Sequence, residues 1–530
     1  MQQLATETHF LGELLAGRDV AAAFISGGKT TSRAQLRAAA NSAAQGLAAM
    51  RLRRGDALAL WLPNGLAWLQ LLFAAARLGV LIVPISSRYK APEVRHLLEV
   101  SRARAIVAPT RFLDSDYAAI ARGLKADIPT LEMVLEIDDL TSFLHFAANA
   151  GAAPALPGPA DGVATDLLCC FSTSGTTGFP KLAAHGHASI ARHATYVART
   201  LDIRPGDAVL CVLPLFGVFG FMTALGALAG GAACVSMPVF DAQDVAHAVA
   251  AQRITHVVGA DTMFDAMMRV EGVDFSTWRR AVQADFAGLP LQVTQRGDEF
   301  GIRFTGTYGS SECYSLMSFH EFEASAEQRA KAGGIPIDPA ILVRVADPET
   351  GRVLADGEPG EIQIRGPNVL AEYLNNPEAT VNAMTTDGWF RSGDLGCGDG
   401  AGFIYLARMG DSLRLRGYLV NPAEIENCLM QHGSVGGAQV VGVKRPGAGD
   451  VAVGYVIAGN SAPSEAALLA HCRERMAAYK VPQRVMVIDA FPTINGPNGN
   501  KIQKRVLREW AQRLIEETAN TPPAARDKTT

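Results

Sequence analysis

Phe171-Ser172-Thr173-Ser174-Gly175-Thr176-Thr177-Gly178-Phe179-Pro180-Lys181 packs hydroxyls, glycines and one lysine into a single short stretch. It follows Asp166 to Phe171, an apolar run that predicts a strand, so the loop leaves the end of a sheet. Glycines let backbone amides approach an anion closely, hydroxyls add donors, and lysine adds charge. That combination predicts a triphosphate cradle. The spacing is not the Walker pattern, which needs four residues between its glycines and then Lys-Ser/Thr. A plain Ser/Thr/Gly surface turn is the simpler alternative, and the density of donors weighs against it.

Outward from this loop, short apolar runs alternate with helical patterns. Asp56 to Trp61 predicts a strand, Leu66 to Leu78 a helix, and Val80 to Ile85 a further strand. Other expected strands are Ala105 to Ala108, Asp207 to Leu213, His256 to Gly259 and Arg303 to Tyr308. Alternation of this kind predicts an α/β sheet layered by helices. Ala150 to Gly162 is rich in Ala, Pro and Gly and reads as a connection.

After about residue 345 the character changes. Gly351 to Arg365 predicts a hairpin and a strand in a small β-rich unit. Beyond Gly410 an α+β pattern follows. Asn421-Pro422 can start a helix. Strands Ala438 to Val443 and Val451 to Ile457, a helix from Pro463 to Ala477 and a strand Val481 to Ile488 come next. Residues 411–516 carry thirteen Lys/Arg and nine Asp/Glu, whereas the rest of the chain is net negative. Ordinary surface variation accounts for this; so does a small domain that meets a polyanionic ligand. Thr518 to Thr530 is polar, contains Pro and reads as a disordered tail.

The chain has 530 residues, 48 Lys+Arg against 52 Asp+Glu, and 19% charged residues. Near-neutral charge argues against a nucleic-acid binder. Eight cysteines without metal-like spacing in so long a chain predict a reduced, cytoplasmic protein. Met1 to Gly17 carries acidic residues and no secretory pattern. Ala208 to Phe240 contains no charge, which raises a membrane helix. Pro214, Pro238 and five glycines interrupt it, so a buried strand, turn, helix and strand fit better, and no integral membrane span is expected.

Further motifs lie downstream in order. They are Tyr308-Gly309-Ser310-Ser311-Glu312, Gly388-Trp389-Phe390-Arg391-Ser392-Gly393-Asp394-Leu395, Arg408-Met409-Gly410-Asp411 leading to Gly417 and Pro422 to Glu426, and Gly499-Asn500-Lys501-Ile502-Gln503-Lys504. With the Ser/Thr/Gly loop, this series resembles the adenylate-forming superfamily, acyl-CoA synthetase type, over essentially the whole chain. The resemblance implies a large N-terminal domain of layered α/β sheets over residues 1–409, with a small β-rich subdomain at about 340–409. It also implies a small mobile α+β C-terminal domain over residues 410–517, with 518–530 as the tail.

It implies ATP, Mg²⁺ and coenzyme A, and two reactions: a carboxylate and ATP give an acyl adenylate and pyrophosphate, then a thiol displaces AMP. Residues Ser172, Thr173, Ser174, Gly175, Thr176, Thr177 and Gly178 with Lys181 would hold the β- and γ-phosphates. Glu312 would be the magnesium ligand, a hard oxygen suited to it. Ser311, where the family usually has Thr, would reach the α-phosphate. Tyr308 would offer a face to adenine beside Ala287-Gly288-Leu289-Pro290. Asp394 would accept the ribose hydroxyls, Arg408 would donate to ribose and phosphate, and Lys501 would bridge the acid and the α-phosphate. Singly, Asp394 could cap a turn, Tyr308 could be core and Lys501 could be solvated. Their order with the loop argues otherwise.

Gly410 stands at the family's hinge, normally Asp or Lys, and Gly417 would reach the pantetheine tunnel. Phe216, Gly217 and Gly306 would border the acyl pocket. Three departures stand out: Leu182 replaces a glycine after Pro180-Lys181, Gly217 replaces a histidine, and the terminal motif reads Gly-Asn-Lys. His185, His187 and His256 suit a site or a structural duty equally. Phe216 to Gly220 has no charge to pair an ammonium, which disfavours an α-amino acid and suggests a fatty, alicyclic or aromatic acid. A carrier-protein-loading acyl-AMP ligase and a nucleotide- or acyl-binding pseudoenzyme are the alternatives. The oligomeric state is open, a homodimer included.

Overall fold

The computed structural model describes residues 11–520 apart from 16–18, 20, 113, 139–165, 174–179, 238, 286–289, 410–412, 417, 421, 446–448 and 497–498. Two compact units emerge, a large one reaching Met409 and a small one formed mainly by the chain beyond it. The connection expected at Ala150 to Gly162 and the cap expected at Asn421 lie outside the described residues.

Among the described residues of the large unit, seven strands form one sheet. Their order is Glu372–Tyr373, Lys181–Gly186, Leu167–Thr173, Leu81–Pro84, Ala57–Leu60, Ala105–Pro109 and Met133–Ile137. From Leu167–Thr173 onward the neighbours run parallel, while Lys181–Gly186 is antiparallel to both of its own. Buried on both faces, the parallel strands read as continuous apolar runs rather than alternating ones. The four residues of Ala57–Leu60 and of Leu81–Pro84 are all buried.

A second sheet holds thirteen strands, with a parallel centre of Ala233–Ser236, Ala208–Cys211, His256–Ala260, Arg280–Ala284 and Arg303–Ser310. The uncharged run from Ala208 resolves into a strand, the helix Val218–Ala229 and a second strand. Among the described residues no helix is long and apolar enough to cross a membrane. The β-rich stretch joins this same sheet. Leu342–Ala346, Gly360–Arg365, Phe390–Asp399 and Gly402–Arg408 extend it through Gly333–Pro336 and Tyr314–Phe319.

The principal core links both sheets with the helices Leu66–Leu78, His187–Thr200 and Val218–Ala229. Buried Asn64 stitches them as well. Its amide donates to Leu213 O at 2.9 Å and its carbonyl accepts Leu215 N–H at 2.8 Å, so the turn before Phe216 is fixed. Such a buried amide is tolerated because its groups are satisfied.

The small unit is α+β. Gly449–Ala458 pairs antiparallel with Val435–Arg445 and parallel with Arg484–Ile488. The helix Lys504–Asn520 lays Leu507, Ala511 and Ile515 against Val441, Val443, Val453 and Tyr455. That helix runs through Asn520, three residues beyond the limit expected at 517. Glu-Glu-Thr-Ala-Asn carries no breaker, and the first proline is Pro522. Residues 521–530 lie outside the described ones.

Candidate active site

The Ser/Thr/Gly loop joins two antiparallel strands. Phe171, Ser172 and Thr173 face Ala183, Leu182 and Lys181 across the ladder. Leu182 is fully buried, so a strand position accounts for this departure. The hydroxyl of Thr173 is buried and has no hydrogen-bond partner among the described residues, as suits a donor kept for a ligand. Ser174, Gly175, Thr176, Thr177 and Gly178 lie outside the described residues, as do Gly288 and Leu289.

Ser311 meets this strand directly, its hydroxyl donating to Ser172 O at 3.2 Å. The turn from Tyr308 to Glu312 is held tightly. A Cβ on Gly309 would stand 2.1 Å from Tyr314 O, which requires glycine there. Tyr314 and Leu316 adopt φ of 62° and 59°, rare for side-chain-bearing residues and found where a fold over-determines the backbone. His185 and His193 brace them. His185 Nε2–H donates to Ser311 O at 2.7 Å and His193 Nε2–H to Ser315 O at 2.8 Å, both rings lying against Tyr314. Burial pulls the pKa of each down to about 4, so both rings are neutral braces rather than proton carriers near neutrality. His187 is likewise buried with its pKa pulled down to about 4, and His256 bonds Leu201 O and Thr255 inside the core. These four histidines lie in the packed interior.

Glu312 is half-buried and accepts the Tyr373 hydroxyl at 2.9 Å. The ammonium of Lys181 lies over the same tyrosine ring, 4.1 Å from its centroid. Sequence reasoning missed Tyr373. Among the described residues no group of three or more His, Cys, Asp or Glu gathers to hold a metal unaided. A single carboxylate beside the Ser/Thr/Gly loop is compatible with Mg²⁺, which is commonly bound by substrate phosphates and water with one or two carboxylates.

Asp394 is buried and accepts the Tyr308 hydroxyl at 2.7 Å. Its backbone N–H donates to Ser392 Oγ at 3.0 Å, and Arg408 stands opposite it in the ladder. Tyr308 is only 5% exposed and packs edge-on against Phe403. The structure thus adds to its expected adenine face a second duty, orienting the carboxylate. Arg408 and Lys501 are described by backbone alone. Lys501 faces Ile494 in the hairpin of Thr493–Gly496 and Gly499–Ile502. Gly410 and Gly417 lie outside the described residues.

Phe216 is half-buried and Gly217 caps the helix Val218–Ala229. A Cβ on Gly217 would meet only Pro214 O, at 3.6 Å, so close packing at the Cβ does not account for this glycine. Gly306 differs: a Cβ there would stand 2.0 Å from Lys331 O. Close backbone approach suffices to explain that glycine.

Residues 15–374 match the AMP-binding enzyme family and residues 424–496 the AMP-binding enzyme C-terminal domain. The chain belongs to this adenylate-forming superfamily, in its acyl-CoA synthetase branch. It is 32% identical to the long-chain-fatty-acid–CoA ligase FadD13 of Mycobacterium tuberculosis over 90% of this chain and 92% of that protein. It is 33% identical to the 3-[(3aS,4S,7aS)-7a-methyl-1,5-dioxo-octahydro-1H-inden-4-yl]propanoyl:CoA ligase of the same organism, over 90% of this chain and 93% of that one. Its fold is similar to a double mutant of the o-succinylbenzoate CoA synthetase of Bacillus subtilis, with TM-score 0.79 and 25% identity over 94% of this chain and 98% of that one.

Proposed function

We propose that the protein activates a fatty, alicyclic or aromatic carboxylic acid with ATP and transfers the acyl group to coenzyme A in the cytoplasm. The observation that carries this reading is the meeting of Lys181 and Glu312 on Tyr373 beside the Ser/Thr/Gly loop, a cation and a hard oxygen donor sharing one buried tyrosine. The uncharged Phe216 to Gly220 stretch supports an apolar acid.

In the first half-reaction a carboxylate oxygen attacks the α-phosphorus, the bond to the β-phosphate breaks, and pyrophosphate leaves. Residues 172–178 and Lys181 hold the departing phosphates, and Glu312 would hold Mg²⁺. When bound, Mg²⁺ offsets phosphate charge. Asp394, aimed by Tyr308, fixes the ribose, and Arg408 donates to ribose and phosphate. Lys501 brings the two anions together, which is positioning and charge neutralisation rather than covalent catalysis. In the second half-reaction the thiol sulfur attacks the acyl carbon and AMP leaves. Gly410 is assigned the hinge of a mobile unit that runs from residue 410 through the helix ending at Asn520, and Gly417 the thiol side.

Pyrophosphate release over a panel of fatty, alicyclic and aromatic acids, with and without coenzyme A, tests the reading. CoA-stimulated turnover on one acid class is expected. Turnover requiring a holo-carrier protein instead would replace coenzyme A as acceptor, and silence over a broad panel would overturn the assignment.

A further inference from the structure

The segment from Asn368 to Leu374 straps two parts of the site together. On one side Ala371 N–H donates to Ala184 O and Leu374 N–H to Leu182 O, both at 2.8 Å, along the strand that begins at Lys181. On the other, Leu370 N–H donates to Glu312 O at 2.7 Å and Asn368 Nδ2 to Cys313 O at 2.9 Å. Tyr373 N–H is held by Thr380 Oγ1 at 2.9 Å. The tyrosine at the centre is 4% exposed, so its ring has little freedom. Its two faces of chemistry point to two charged groups: the hydroxyl to Glu312 and the π-system to Lys181.

We propose that Tyr373 is a positioning residue that sets the Glu312 carboxylate and the Lys181 ammonium for a metal–nucleotide complex. This rests on the roles given above to Glu312 and Lys181. A carboxylate and an ammonium near one another attract, and a direct pair would spend on each other the charges that metal and phosphate need. A rigid phenol gives each its own partner. The ring face gives the ammonium a fixed seat. The hydroxyl engages Oε1 of the carboxylate and limits its rotation, and Oε2 would be the oxygen left for a hard cation. Charges held in place beforehand need little reorganisation when the nucleotide arrives.

The two handles separate chemically, because phenylalanine keeps the face and loses the hydroxyl while leucine loses both. The test titrates the full chain by calorimetry with α,β-methylene ATP, whose bridging carbon blocks adenylation, with and without Mg²⁺. Thermal midpoints are measured alongside. Tyr373→Phe is expected to keep metal-free affinity within about twofold while cutting the Mg²⁺ enhancement about fivefold, the worth of one hydrogen bond. Tyr373→Leu is expected to lose about threefold more in metal-free affinity. Glu312→Gln serves as the reference. If it loses the Mg²⁺ enhancement and Tyr373→Phe does not, the inference about Tyr373 is wrong and the role of Glu312 stands. If Glu312→Gln also keeps the enhancement, the role of Glu312 falls and this inference with it. Lowered thermal midpoints in both tyrosine variants with an unchanged enhancement would mark Tyr373 as packing alone.

Discussion

Tyr308 donates its hydroxyl to Asp394 across 2.7 Å, and both residues are buried. They come from two motifs of one sheet, Arg303–Ser310 and Phe390–Asp399, so neither carboxylate nor phenol is placed by its own neighbours alone.

Removing the donor leaves a buried carboxylate short of a partner. Tyr308→Phe is expected to raise the KM for ATP about tenfold, the cost of one charged hydrogen bond, with a smaller change in kcat. Asp394→Asn should narrow the preference for ATP over 2′-deoxy-ATP. Steady-state kinetics with both nucleotides check this, and an unaltered preference would remove the ribose from Asp394.

Lys501→Ala separates the two half-reactions. Pyrophosphate release is expected to fall by at least about a hundredfold, as when one charge stabiliser of a transition state is deleted. Thioester formation from supplied acyl adenylate should stay within about twofold. Equal loss in both assays would refute the division of labour.

At Gly217 a Cβ would meet no clash. Gly217→His is expected to leave stability within about 0.5 kcal/mol, as for substitutions that create no clash. It should raise the KM for bulky acids more than for small ones. A spectrum of acids unchanged in rank order would place Gly217 outside the acyl pocket.

The buried histidines make the fold acid-sensitive in a defined window. His185, His187 and His193 have pKa values near 4, below the ordinary 6.5, because burial disfavours the imidazolium. Between these values the unfolded chain binds more protons, so stability is whole above about 6.5 and declines as the pH falls toward 4. His193→Gln should flatten the plot of thermal midpoint against pH across that interval. A slope identical to the parent's would assign the acid sensitivity to other groups.

The glycine and proline punctuation of Ala208 to Phe240 made its strand–helix–strand division legible, and Leu66–Leu78 coincides with its apolar pattern. Continuous apolar runs marked the parallel strands because both their faces are covered. Tyr373 was not legible. One aromatic in Glu-Tyr-Leu-Asn carries no period, and its meaning arises only when the fold brings residues 181, 312 and 373 together. The histidines were ambiguous for the same reason, since burial is a property of the packed sheet and not of the residue type.

Within the small unit, the hairpin bearing Lys501 is followed after Gln503 by the helix Lys504–Asn520, whose apolar face completes that unit's core. The lysine is therefore inherited as part of a cassette. An engineered chimaera that exchanges the small unit between relatives would carry its own lysine with it and leave Phe216, Gly217 and Gly306 with the large unit. Recombination at Met409 is accordingly a natural seam for building new ligases.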